Sequence, residues 1–269
     1  MSDSLYRSDL SSSPNIRVYD DCSTNFDKNT LETLFPTAKT IKINNTNLNA
    51  DKNMYQMYVD FLQTDDDYFF NADSDIIFNT QWLNNAITMI EKTDGILSLF
   101  NTAAHKPYTT IDDLFCLKYS IGAAGTFFKR DCVSYLLNYF DSLDKVRGFD
   151  WQWSEHLKNN GFKIYCVNKS LIQHIGYTGY HSGLYFDVGR GFKVESILDG
   201  QIINDILVNC IDNNLAKDKE YKLTIENMTE RDNSFLYHLS RCFSLPIRKL
   251  LPKYIKNKLK LLLKKKENQ

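Results

Sequence analysis

Residues 68–78 read Tyr-Phe-Phe-Asn-Ala-Asp-Ser-Asp-Ile-Ile-Phe, two apolar runs with Asp73 and Asp75 between them. A short apolar run bounded by polar residues reads as a buried strand, here ending near Asn71. Positions i and i+2 of an extended segment point the same way, so both carboxylates face one side. At the carboxyl end of a parallel strand, such a pair sits where open α/β sheets bind ligands. Burying two like charges without a cation is expensive, and hard divalent ions such as Mg²⁺ and Mn²⁺ take oxygen ligands. An Asp-x-Asp alone is weak, because many solvated turns contain one. The apolar flanks separate this one from Asp65–Asp67, which reads as a turn.

Working outward, 16–19 (IRVY) reads as a buried strand running into Asp20-Asp21. Residues 27–35 read as a helix that Pro36 stops, 38–43 as an alternating strand, 50–63 and 80–92 as helices, and 96–100 as a strand. Strands alternating with helices of this length predict βαβ units, and so a mainly parallel sheet flanked by helices. After residue 100 the order loosens. Shorter strands and loops are expected over 106–129, helices over 130–140 and 150–160, and strands over 162–167 and 171–174. Five of the 11 glycines fall within 176–191, which predicts a mobile loop carrying function.

The 269 residues are 43% hydrophobic and 24% charged, which excludes wholesale disorder. No apolar run is long enough to span a bilayer, and the opening MSDSLYRSDLSSSPN has no apolar leader segment. The six cysteines, at 22, 116, 132, 166, 210 and 242, form no C-x-x-C pair and are expected to be reduced and mostly buried. The net charge of −1 hides an asymmetry: 241–269 carries ten Lys/Arg against one Glu, which leaves the rest acidic. An acidic body argues against a nucleic-acid partner.

The motifs, in order, resemble those of GT-A fold glycosyltransferases, particularly the bacterial family-2-like enzymes of surface-polysaccharide biosynthesis, over about residues 15–195. The resemblance implies the GT-A (Rossmann-like) fold, with a catalytic domain over 1–215 and a basic helical tail over 216–269. IRVYDDCST matches the strand whose second Asp, here Asp21, approaches the uracil of the donor. In NADSD, Asp73 is expected towards the ribose and metal and Asp75 on the metal. Gly122–Thr126 matches the glycine loop beside the donor sugar, with Gly125 in it. Gly148-Phe149-Asp150-Trp151 matches the helix start whose last acid is the catalytic base, here Asp150. Ser170–His174 matches the strand that supplies a metal-binding histidine, here His174.

Three features depart from the family pattern. Only about fifteen residues precede the strand at 16–19, Phe149 stands where an acid is usual, and 47–52 lacks the usual Asn-x-Gly. Lys52 or Asn53 is the residue left for a nucleotide contact there.

The implied activity is inverting, metal-dependent transfer of a sugar from a nucleotide-diphosphate donor, expected to be a UDP-sugar, to a glycan hydroxyl. Asp75, His174 and Asp73 would hold Mn²⁺ or Mg²⁺, with a neutral buried histidine as the other reading of His174. Asp150 would take the acceptor proton, with Glu155 as the alternative base; an acid at a helix start also stabilises the helix. Trp151 and Trp153 offer aromatic faces to a pyranose, or else belong to the core. His181 and Arg190 of the glycine-rich loop are expected to reach the diphosphate, with a surface charge as the other reading of Arg190. From residue 247, apolar residues recur at helical spacing among lysines. This predicts a basic amphipathic helix over 247–266 that lies on an anionic membrane surface or docks on the acidic body. The expected setting is the cytoplasmic face of the inner membrane, with a lipid-carried acceptor of a lipopolysaccharide or capsule. The alternatives are a haloacid-dehalogenase-type phosphatase, whose motif prefers Thr or Val where Ile77 stands, and a non-catalytic protein that binds nucleotide or membrane.

Overall fold

The computed structural model describes residues 1–143, 148–176, 186–216 and 219–220. The chain forms two compact units, Met1–Leu207 and Val208–Gln269, and the first carries every residue of the site. His181 and the basic segment 247–266 lie outside the described residues.

In chain order the elements are α1 (Ser2–Arg7), β1 (Arg17–Asp20), α2 (Lys28–Leu34), β2 (Thr40–Ile43), α3 (Ala50–Leu62), β3 (Tyr68–Asn71), β4 (Ile76–Phe78) and α4 (Trp82–Ile90). There follow β5 (Ile96–Ser98), β6 (Pro107–Thr110), β7 (Phe115–Lys118), β8 (Thr126–Lys129), α5 (Arg130–Asp141), α6 (Phe149–Asn159), β9 (Ile164–Val167) and β10 (Ile172–His174). A further helix, α7, covers 197–216. Among the described residues, no helix is long and apolar enough to cross a membrane.

The helices begin and end for local reasons. Asp27 caps α2 by accepting from the Thr30 N–H at 2.8 Å, and Pro36 lies just beyond its end. Asn49 caps α3 through the Lys52 N–H at 3.2 Å. Two elements were not read from sequence: α1, which buries Leu5 against the core, and α7.

The sheet corrects one expectation. It is mixed rather than mainly parallel. Six strands run in the order β3-β8-β5-β9-β7-β6, and only the β5–β9 pairing in that sheet is parallel. The expected directions of β3, β5 and β9 do agree with one another. What spacing did not reveal is that β8 returns between β3 and β5, and β7 beside β9, each antiparallel to its neighbours. β1 and β2 form a separate parallel ladder joined through α2, the expected βαβ arrangement.

Both faces of the large sheet are covered, as strict alternation in its strands shows. Leu97, Phe127 and Tyr165 join one core with Trp82, Leu83 and Ala86 of α4. Their neighbours Ile96, Phe128 and Ile164 join the other, with Tyr58 of α3, Leu136 of α5 and Trp153 of α6. The result is a three-layer α/β arrangement with the acidic motif at the end of β3.

Candidate metal centre and adjoining cleft

β3 ends at Asn71, and β4 starts at Ile76 with a different partner, β10. Residues 72–75 are therefore the crossing between two sheets. The antiparallel register sets His174 opposite Ile76, and the Ile175 N–H continues the ladder to the Asp75 carbonyl at 2.7 Å. That register brings an imidazole from a hundred residues away beside the acidic motif. One carboxylate oxygen of Asp73, one of Asp75 and a ring nitrogen of His174 all lie within 4.8 Å of one another.

His174 Nε2 sits 3.0 Å from Asp75 Oδ1, an ion-pair distance. Among the described residues, Asp75 Oδ1 has no partner beyond this imidazole. Gly176 closes the cluster from the other side. A Cβ there would overlap Asp75 Oδ2 and lie 2.9 Å from His174 Nε2. Two carboxylates and an imidazole make a donor set that could hold a divalent cation.

The charges fit that reading. Solvent reaches Asp73, but protein atoms crowd it. Desolvation, then the neighbouring Asp75, and to a smaller degree Asp150, raise its carboxyl above the ordinary range, while His174 and Asn71 oppose them. For Asp75, desolvation also works upward, but His174 outweighs it and the net shift is downward. Burial works to lower His174; Asp75, Asp73 and Asp187 together raise it. Three acids thus converge on a single imidazole, an excess of negative charge that a divalent cation would offset.

Asp150 is not one of the three clustered groups; its charge is the smallest of the influences that raise Asp73. It stands in the first turn of α6, and its Oδ1 accepts the Trp151 N–H at 2.9 Å. The helix start is held by a residue that sequence reasoning missed. Asp51 of α3 accepts the Phe149 N–H at 3.0 Å and the Gly148 N–H at 3.2 Å, capping a helix that is not its own. His105 was also missed. It lies 5.7 Å from the Trp151 ring and bonds Ser120 Oγ at 3.0 Å. Burial, then the charge of Lys118, lower its pKa.

The loop 122–126 adjoins Asp73. Asn71 Nδ2 donates both to Asp73 Oδ1 at 3.3 Å and to the Ala123 carbonyl at 3.1 Å. Gly125 itself has a structural task. Its N–H bonds the Asn71 carbonyl, its carbonyl accepts from Leu99, and its φ of +74° with Ile172 packed against it excludes a side chain.

Four other candidates have the following places. Asp21 Oδ1 accepts the Leu48 N–H at 2.7 Å and Asn44 Nδ2 at 3.0 Å, so it shapes the loop between β2 and α3. Lys52 projects from the first turn of α3 and is exposed. Arg190 is exposed, with its backbone pinned between Asn101 and Ser170. Trp153, with 0% of its surface exposed, packs edge-on to Phe128 in the core, whereas Trp151 is 62% exposed. Of the glycine-dense segment, 186–190 is anchored rather than loose. Gln173 Nε2 donates to the Asp187 carbonyl at 2.8 Å, and Gln173 Oε1 accepts the Gly189 N–H at 2.8 Å.

No family model matches the chain, and no curated protein matches it. Among solved structures it is similar to one titled "Crystal Structure of A197 from STIV", at a TM-score of 0.39 and 13% identity, over 68% of this chain and 96% of that one. A likeness at that level carries no conclusion about fold family or activity.

Proposed function

We propose that the protein is a GT-A-type glycosyltransferase, inverting and metal-dependent, that moves a sugar from a nucleotide-diphosphate donor, a UDP-sugar, to a glycan hydroxyl. The supporting observation is the convergence of Asp73, Asp75 and His174, whose ligand atoms all lie within 4.8 Å of one another. Asp73, Asp75 and His174 hold the cation. A bound Mn²⁺ or Mg²⁺ would supply Lewis-acid stabilisation of the departing diphosphate. Asp150, fixed at a capped helix start, accepts the proton of the attacking hydroxyl, and Asn71 orients Asp73. The lysine-rich segment 247–266 places the enzyme on anionic lipid at the cytoplasmic face of a bacterial inner membrane, beside a lipid-carried acceptor of surface-polysaccharide synthesis.

Calorimetry of UDP binding with and without Mn²⁺ tests the reading. Binding should require the metal and vanish in Asp75→Asn. In Asp150→Asn it should persist while turnover falls about 10²–10⁴-fold, the usual scale for a lost general base. UDP that fails to bind the wild-type protein in the presence of Mn²⁺ would overturn it.

A further inference from the structure

Three large aromatic side chains are exposed: Trp151 at 62%, Tyr119 at 55% and Tyr108 at 43%. They belong to one continuous feature. Trp151, Glu155 and Lys158 fall at i, i+4 and i+7 of α6 and form its exposed stripe, about 10 Å long by helix rise. Lys158 Nζ lies 4.7 Å from the centre of the Tyr119 ring. Tyr108 stacks on that ring, with centroids 4.3 Å apart and planes at 19°. At the other end His105 lies against Trp151 and bonds Ser120, the residue after Tyr119. The β6–β7 hairpin and α6 together thus display a ledge that starts at Trp151, the residue after Asp150.

We propose that this ledge is a binding subsite for an extended saccharide. A pyranose presents a C–H face and a rim of hydroxyls. The Trp151 and Tyr108 rings suit the first, while Tyr119, covered by Tyr108 and Lys158, holds Tyr108 in place; Glu155, Ser120 and Lys158 suit the second. The ledge is longer than one pyranose ring, so it takes a chain of sugars rather than a monosaccharide. The rings are preset by stacking and by the Lys158 contact, which lowers the ordering cost of binding. A nucleic-acid strand would stack on the same rings, but its phosphates would meet the carboxylates of Asp150 and Glu155. That the chain's end reaches Asp150 as acceptor rests on the transferase reading; the binding itself does not.

Tryptophan fluorescence of the full chain tests it, because Trp82 and Trp153 are buried and Trp151 is the exposed one of the three. Iodide quenching is measured with cellohexaose, maltohexaose or chitohexaose, without metal or nucleotide. At least one should protect Trp151 saturably. Tyr108→Ala, at an exposed position, should weaken that protection about two- to tenfold, the scale of a single aromatic contact. Trp151→Ala, followed by calorimetry, should lose a similar factor. No protection by any of the three, or unaltered affinity in both variants, would overturn the proposal. Protection in a protein that shows no Mn²⁺-dependent UDP binding would refute the transferase reading and keep the ledge. Metal-dependent UDP binding without protection would do the reverse.

Discussion

Gly176→Ala separates a metal centre from a merely acidic corner. The Gly176 backbone is outside the left-handed region, so alanine introduces no conformational strain. Its Cβ would, however, overlap Asp75 Oδ2 and lie 2.7 Å from His174 Cε1 and 2.9 Å from Nε2. These are the free ends of side chains, not backbone, so the fold accommodates the methyl by moving them. Regaining ordinary contact at 3.4 Å or more shifts Asp75 Oδ2 by about 1 Å, against the ~0.2 Å within which metal–ligand distances hold. The expected loss of Mn²⁺ affinity is about 10–100-fold or more, the scale seen when groups that orient ligands are disturbed. Stability should stay within about 1 kcal/mol of wild type, because the reduced entropy of the unfolded chain offsets local crowding. Gly125→Ala is the contrast. There φ is +74° and the Cβ would overlap Ile172 Cδ1 in the core, for a cost of roughly 2–5 kcal/mol from strain and overpacking. Mn²⁺ titration followed by electron paramagnetic resonance, together with thermal unfolding, reads both. If Gly176→Ala binds Mn²⁺ as tightly as wild type, Asp75 and His174 do not share a cation.

Asp51→Ala should cost about 1 kcal/mol in urea unfolding, since α6 loses its cap. It should also lower kcat more than the donor KM, with partial rescue in Asp51→Asn, which a purely structural role would not produce. The Tyr68 hydroxyl donates to Glu91 at 2.6 Å; this bond, then Lys129, lowers the Glu91 carboxyl, and it pushes Tyr68 up to about 12. A depressed acid loses its contribution to stability as pH falls through its folded pKa, and a raised phenol loses its contribution as pH rises from about 10 towards 12. Tyr68→Phe should therefore flatten both flanks of the urea midpoint plotted against pH; unchanged flanks would refute the linkage. Removing residues 246–269 should release the protein from vesicles containing phosphatidylserine, read by co-sedimentation, with turnover on a soluble acceptor little altered.

Local signals in the sequence were legible where local physics decides the outcome. The stop at Pro36 and the apolar flanks of the Asp73–Asp75 pair each act within a few residues. The strand order was not legible, because alternation of elements says nothing about β8 threading between β3 and β5. The partner of Asp75 depends on a register between residues a hundred positions apart, so only the family resemblance pointed to His174. Asp51 was hidden because it caps another helix, a contact with no signature in its own neighbourhood. The choice between Trp151 and Trp153 was readable and went unread. Phe149, Trp153 and Leu157 repeat every four residues and mark the buried face of α6, which leaves Trp151 outside it.

β10 shows why the centre and the fold stand or fall together. Within five residues the chain does four different things. Ile172 enters the core against Gly125, Gln173 ties down 187–189 through buried hydrogen bonds, His174 faces the acids, and Gly176 leaves them room. The strand is only three residues long, and its partner β4 is buried throughout. A slip of one residue would send His174 inward and Gln173 towards the acids, reversing both placements. The bonds of Gln173 to Asp187 and Gly189 oppose that slip, since they form only in the observed register. The precision of the candidate metal centre therefore rests as much on the Gln173 amide, which also donates to the His174 carbonyl at 2.7 Å, as on its own ligands.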